Sequence, residues 1–257
     1  YKLAKSQGWY DLIIEVHPDD KDFILAGGLD LWKSRDGGIH WERLSEGKRK
    51  LSNYVHVDQH EIVFVSADTV LFGNDGGIWK CDNIRDDKPY IYNVNHTYNV
   101  TQFYSTAIHP EPANHILIGG TQDNGSIQAT YEGISDFERL SGADGSFCAI
   151  SPDGEFMYTT TQYKRMYRHH NGTMDTITNP YPDKKSFLFI NQMAIDPNGN
   201  DIIYHPSVEG VWRLKDASIA EAKDWELASR PWGQITSIAV SKNIPNIVFF
   251  GRTNGRV

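Results

Sequence analysis

One frame recurs along the chain with a period of about 45 residues, and that repeat limits the fold more than any single motif does. Each copy has an alternating apolar run ending near x-Pro, a short turn, a second run ending in Gly or polar residues, and a third run with an aromatic. The first copy reads Leu12-Ile13-Ile14-Glu15-Val16-His17-Pro18, then Phe23 to Gly28, then Leu31-Trp32-Lys33. Later copies open at Ser105 to Pro110, Phe147 to Pro152, Gln192 to Pro197 and Ile235 to Val240. The second copy, His56 to Phe64 followed by Leu71 to Lys80, lacks the proline. The aligned aromatics Trp32, Trp79, Tyr167 and Trp212 stand 47, 88 and 45 residues apart, the middle interval spanning two repeats.

Short period-2 runs between Gly, Pro, Asn and Asp clusters predict strands, in groups of four per repeat. Helix signals are nearly absent, apart from Ala217 to Lys223 as one surface turn or short helix. The expected fold is all-β, a β-propeller of four-stranded blades. A β-sandwich does not predict an aromatic in every third run at a fixed period. We expect a single partial propeller domain over residues 1–257, with blades near 8–50, 54–97, 100–142, 144–182 and 187–230. A sixth blade at 234–257 is cut off, so about five and a half are present. The abrupt opening at Tyr1 and the stop at Val257 read as part of a larger polypeptide.

The loudest local motif is Ser34-Arg35-Asp36-Gly37-Gly38-Ile39-His40-Trp41. Asp-Gly-Gly between strand-like runs predicts a tight hairpin, because glycine supplies the positive φ such turns need. The Asp carboxylate can accept the turn's own amides, and the Trp can lie over the hairpin. The pattern, carried by Ser34, Asp36, Gly38 and Trp41, is similar to the Asp-box (BNR) repeat of sialidase-like and sortilin-like β-propellers. Its later copies decay to Cys81-x-Asn83, His169-x-Asn171 and Leu214-x-Asp216. Such decay fits a structural staple at the outer strands of a blade rather than an active site. Further strings resemble secreted bacterial sortilin (VPS10)-like and glycosyl-hydrolase-like propeller proteins. They are Gln7-Gly8-Trp9-Tyr10-Asp11, His56-Val57-Asp58-Gln59-His60, Gly73-Asn74-Asp75-Gly76-Gly77, Gly119 to Gly125 and Gly142-Ala143-Asp144-Gly145. This resemblance implies export, to the cell surface or beyond.

Composition narrows the partners. A net charge of −8, spread rather than blocked, argues against nucleic acid. No run approaches the length of a membrane span. Cys81 and Cys148 lack metal-type spacing and read as two buried thiols rather than a bridge.

Registering the first runs on their last core residue aligns a polar column at their starts. Six positions earlier stand Tyr10, Asp58, Gln102, Asp144, Phe189 and Gln234; four earlier stand Leu12, His60, Tyr104, Ser146, Asn191 and Thr236. The ends of the second runs, which return to the same side, carry Asp30, Asn74-Asp75, Gln122-Asp123-Asn124 and Gln162-Tyr163. Polar and aromatic groups converging from several blades define the expected ligand site at a funnel mouth. Its expected contacts are His56, Asp58, His60, Asn74, Asp75 and Gln102, with Tyr104, Gln122, Asp123, Asp144, Gln162 and Asn191. His56-x-Asp58-x-His60 would share one strand face, the residue types of a first-row metal site, but straight-strand spacing is wide for one ion. No metal and no cofactor is expected.

A sialidase needs three arginines gathered on a carboxylate. Arg35, Arg43, Arg49, Arg85, Arg139, Arg165, Arg168 and Arg213 fall in outer strands and turns, which disfavours it. The expected function is a non-catalytic binding module that contacts glycan or protein at the funnel mouth. The alternative is a glycoside hydrolase drawing acid and base from Asp58, Asp75, Asp123 and Asp144.

Overall fold

The computed structural model describes residues 3, 5–47, 52–97, 100–133, 136–231 and 233–257; Arg49 and the expected blade limit at residue 50 lie outside them. The chain divides into two compact units, Tyr1–Val100 and Thr101–Val257. Among the described residues every sheet is antiparallel, and each four-stranded sheet is a meander of consecutive strands.

Unit 1 holds two sheets. The first takes β1 (Ile13–His17), β2 (Asp20–Gly27), β3 (Leu31–Ser34) and β4 (Glu42–Arg43). The second takes β5 (Gln59–Phe64), β6 (Val70–Asn74), β7 (Gly77–Cys81) and β8 (Ile91–Asn93). Unit 2 continues with β9 (Ser105–Ile108), β10 (Leu117–Thr121), β11 (Gly125–Ala129) and β12 (Glu138–Ser141). Its next sheet is β13 (Gly145–Ile150), β14 (Met157–Thr161), β15 (Met166–His170) and β16 (Thr173–Thr176). Then come β17 (Ala194–Ile195), β18 (Ile203–Ser207), β19 (Gly210–Leu214) and β20 (Glu226–Ser229). A two-stranded sheet of β21 (Ile235–Val240) and β22 (Val248–Arg252) ends the chain. The spaced aromatics Trp32, Trp79, Tyr167 and Trp212 all lie on third strands. The stretch from Ala217 contributes one 3₁₀ turn at Ala222–Asp224, and a second, unanticipated one covers Lys184–Ser186. No helix among the described residues is long and apolar enough to cross a membrane.

A single meander exposes two faces, and within each unit the apolar face of one sheet packs on its neighbour. In unit 1, Phe23, Leu25 and Leu31 of the first sheet pack with Ile62, Phe72 and Trp79 of the second. In unit 2, Ile118 meets Cys148 and Ile150; Tyr158 and Met166 meet Ile203, Trp212 and Leu214; Tyr204 and Val211 meet Ile235. Both cysteines are buried free thiols. Burial pushes the Cys148 thiol up to about 12, so it behaves as a small apolar side chain.

Two kinds of turn hold the meanders. At the first hairpins a side chain accepts the amide two residues on: Asp19 N–H to His17 Nδ1 (3.1 Å), Glu111 N–H to His109 Nδ1 (3.2 Å), Asn198 N–H to Asp196 Oδ1 (2.9 Å) and Asn243 N–H to Ser241 Oγ (3.3 Å). The x-Pro pattern of the sequence marks the first three of these turns, where Pro18, Pro110 and Pro197 preset the φ after the acceptor; Lys242 stands there in the fourth. At the third hairpin of the first sheet, Asp36 Oδ1 accepts the Ser34 hydroxyl (2.9 Å) and the His40 amide (2.8 Å), while Trp41 Nε1 donates to the Gly38 carbonyl (2.9 Å). The His40 amide and imidazole hold the Asp36 carboxyl down at about 2. The second sheet repeats the device with other atoms. Cys81 Sγ donates to Asn83 Oδ1 (3.4 Å), which also accepts the Tyr90 amide (2.9 Å).

The least expected core group is His205 on β18. It is fully buried, stacks on Phe187 at 4.9 Å, and neither ring nitrogen has a hydrogen-bond partner among the described residues. Burial alone pushes its pKa down to about 3. A depressed folded pKa contributes stability that is full above the unfolded value near 6.5 and is lost as pH falls through that value toward about 3. His205→Phe keeps the ring stack and removes the unpaired nitrogens. Urea unfolding is expected to show a gain of about 1–3 kcal/mol and a shallower loss of stability between pH 6.5 and 4. An unchanged acid slope would contradict the assignment.

Candidate functional site

Within each sheet, antiparallel register puts the start of the first strand beside the end of the second. Gln59 pairs with Asn74, Ser105 with Gly120, and Gly145 with Thr161. The residues entering the first strand and those in the second hairpin therefore share one end of the sheet. The column Tyr10, Asp58, Gln102, Asp144, Phe189 and Gln234 lies wholly before the strands, which begin at Ile13, Gln59, Ser105, Gly145, Ala194 and Ile235. Period-2 alternation does not govern these positions. Asp58 is the clearest case, because its φ of 64° turns the chain just before β5. This corrects the expectation that His56, Asp58 and His60 line one straight strand face.

In unit 1 the end carries a cluster built from three segments. Asp58 comes from the turn before β5, and Asp75 from the hairpin between β6 and β7. Tyr10 and Asp11 come from the lead-in to β1. Asp75 accepts the Tyr10 hydroxyl at 2.8 Å and lies 2.6 Å from His60 Nε2. The Tyr10 ring stands edge-on to the His60 ring with centroids 4.9 Å apart. Gln7 Nε2 donates to Asp58 Oδ1 at 3.2 Å. Asp11 is fully buried, and Asp58 is only 5% exposed. Two neighbouring carboxyls in a dry place cannot both ionise freely. Burial first, and then the neighbouring Asp11, push Asp58 up to about 7; burial likewise raises Asp11.

The other expected residues of unit 1 serve the turn. Asn74 Oδ1 accepts the Gly76 amide (3.0 Å), and its amide nitrogen donates to Gln59 (3.2 Å). His56 is buried, with Nδ1 3.1 Å from the Val57 carbonyl. Gly76 lies so close beneath its ring that a Cβ there would sit 2.4 Å from the imidazole. Asp30 pairs with Arg43 at 2.6 Å and accepts the Gly47 amide. The ligand atoms of His56, Asp58 and His60 do not form one metal-binding group.

In unit 2 the equivalent end is held by turn bonds and fringed with aromatics. Asp144 accepts the Asp123 amide at 3.0 Å, which fixes Asp123 at a φ of 59°. Gln162 Oε1 accepts the Asp144 amide at 3.2 Å, and Tyr104 donates its hydroxyl to Gln122. A Cβ on Gly120 would lie 1.8 Å from the Ser146 carbonyl oxygen, so β10 and the start of β13 approach as closely as backbones can. Phe189 meets Tyr163 edge-on at 5.4 Å, and Lys184 Nζ lies 4.1 Å over the Tyr163 ring. Gln102 is exposed ahead of β9. Asn191 is buried and donates to the Pro206 carbonyl (2.8 Å), a structural tie.

Asp11 and Gln7 were not singled out as site residues in the sequence. Asp11 falls between Tyr10 and Leu12, off the two-residue register, and the signal lay in the string Gln7 to Asp11 itself.

No family model matches the chain, and no curated protein does. Among solved structures it is similar to an ancestral GH74 enzyme, at 14% identity and a TM-score of 0.45, over 96% of this chain and 35% of that one. YCF48 bound to D1 peptide matches at 11% and 0.42, over 94% and 76%. The GH74 xyloglucanase from Xanthomonas campestris matches at 13% and 0.41, over 93% and 50%. The chain thus spans about a third of the first and half of the last. These neighbours are β-propellers, and at such scores and identities they give no residue of this chain a role.

The unit 2 turn is testable alone. Asp144→Ala deletes the acceptor that holds the Asp123 amide and is expected to destabilise by about 1–2 kcal/mol in urea unfolding, with an unchanged m-value. A loss within error of zero would mean that the bond contributes nothing to the turn.

Proposed function

We propose that this chain is a non-catalytic binding module of an exported, cell-surface protein. In this reading its sheets are blades of a β-propeller within one partial domain. The chain contacts glycan or protein through the sheet ends that carry the second hairpins. The observation that carries the reading is the pairing of exposed aromatics with polar groups already held in place. Trp9 is 85% exposed and Tyr10 38%, the latter fixed by Asp75 and edge-on to His60. Tyr104 and Phe189 are similarly half-open in unit 2. An aromatic face beside oriented donors and acceptors suits a sugar ring or an extended peptide, and groups ordered beforehand lose less entropy on binding.

Three of the four carboxylates that a glycoside hydrolase would draw on are engaged or buried: Asp75 holds Tyr10 and His60, Asp144 holds a backbone amide, and Asp58 is only 5% exposed. A general acid and its partner need open approach to the scissile bond. Binding without turnover is the better account of these partners.

A glycan array and a displayed peptide library, both probed with the full chain, test the proposal. Any hit is expected to weaken by about tenfold or more in Trp9→Ala or Tyr104→Ala, the scale on which a binding anchor contributes. Incubation with a glycan hit is expected to return it intact. Hydrolysis that disappears in Asp58→Asn would replace this proposal with the hydrolase.

A further inference from the structure

Pairing register shows one sheet-on-sheet arrangement used four times within the units. The last core residue of each first strand pairs with a residue of or beside the second strand: Val16 with Ile24, Ile150 with Met157, Ile195 with Ile203 and Val240 with Val248. In the third sheet Ile108 pairs with Leu117. The two residues flanking that partner point to the opposite face of the sheet. In unit 1 the flanking pair Phe23 and Leu25 packs with Ile62 and Phe64 of the next sheet. In unit 2, Ile116 and Ile118 pack with Cys148 and Ile150, and Phe156 and Tyr158 with Met193 and Ile195. Ile202 and Tyr204 then pack with Ile238 and Val240.

At two places the same positions are apolar and face water. Ile247 and Phe249 are the flanking pair of the two-stranded sheet, and both are exposed, Phe249 by 54%. Ile14 and Val16 of the first sheet hold the positions that Ile62 and Phe64 hold in the second. Ile14 is nevertheless 60% exposed, Val16 is exposed, and Leu12 beside them is 62% exposed. No charged side chain interrupts either stripe, so burying them leaves no ion unpaired. The corresponding columns of the second and third sheets that no neighbour within their unit covers each include a threonine, Thr69 and Thr106.

We propose that these two apolar faces meet between copies of this chain, with Ile247 and Phe249 of one copy packed on Leu12, Ile14 and Val16 of a second copy. The contact continues the arrangement each unit already uses, large apolar residues of a second strand against those of a first strand. Removing these side chains from water drives the association. The two partners use different patches, so the contact is head-to-tail, and each added copy brings one further face of each kind. The proposal is independent of ligand binding, because it uses the faces of the sheets and not the ends that carry the second hairpins.

Sedimentation velocity of the full chain from about 1 to about 200 µM tests it. The mass of the wild type is expected to rise above that of the monomer with concentration. Ile14→Lys and Phe249→Lys each put a charge on one face and leave the other intact. Either variant alone is expected to lose self-association by at least about tenfold. Mixed in equal amounts, the two are expected to form a dimer and nothing larger, because one intact face of each kind remains. Near-UV circular dichroism checks that each variant is folded, and Val16→Lys or Ile247→Lys replaces one that is not. A wild type that stays monomeric, a folded variant that associates by itself as the wild type does, or a mixture that stays monomeric would each overturn the proposal.

Discussion

Within each unit the structure depends on one sheet burying its face against the next. A four-stranded meander leaves an apolar face to cover, and Phe72 and Trp79 pack with Phe23 and Leu25, as Tyr158 does with Trp212. The repeat in the sequence is the trace of that need. Each copy supplies one sheet, each third strand supplies a large side chain at a fixed place, and the turns supply the hydrogen bonds that let the chain reverse. The turn acceptors vary freely among His, Asp and Ser, because the only requirement is an acceptor at hydrogen-bonding distance from the second following amide.

That same packing decides where chemistry can sit. Antiparallel pairing brings the lead-in to each first strand and the second hairpin to one end, where the backbone leaves the ladder and side chains are released from strict alternation. The groups gathered there differ between the units. Unit 2 uses its acidic and amide groups to fix turns and leaves aromatics at the margin. In unit 1 Asp75 holds Tyr10 and His60, while burial first, and then the neighbouring Asp11, raises Asp58 to about 7.

Much of the architecture was legible in the sequence. The strands, their grouping, the third-strand aromatics and the hairpin at Ser34 to Trp41 follow from periodicity and turn chemistry, both of which are local. The site was legible as a region but not as a set of contacts. Asp58 and Asp75 could be placed at the same end because strand direction is simple to infer. The buried Asp11 could not, since a positive φ at Asp58 and the irregular lead-in to β1 break the two-residue count. Burial of polar side chains was likewise hidden. Lys33 looks like a surface residue, yet its side chain is wholly buried, with its amine on the Asp86 carbonyl at 2.9 Å. His205 gives no sign in the sequence that its ring is sealed between Phe187 and Trp225. Both depend on what a neighbouring element covers, which no local pattern records.

The central claim is that the sheet ends bearing the second hairpins are the binding surface. Amide hydrogen exchange of the full chain, with and without a ligand taken from the glycan or peptide screen, tests this most directly. The account predicts slowed exchange at residues 56–60 and 74–76 in unit 1, or at 102–104 and 122–124 in unit 2, with the first hairpins unchanged. Slowing confined to the first hairpins, around His17, His109 and Ser151, would contradict it.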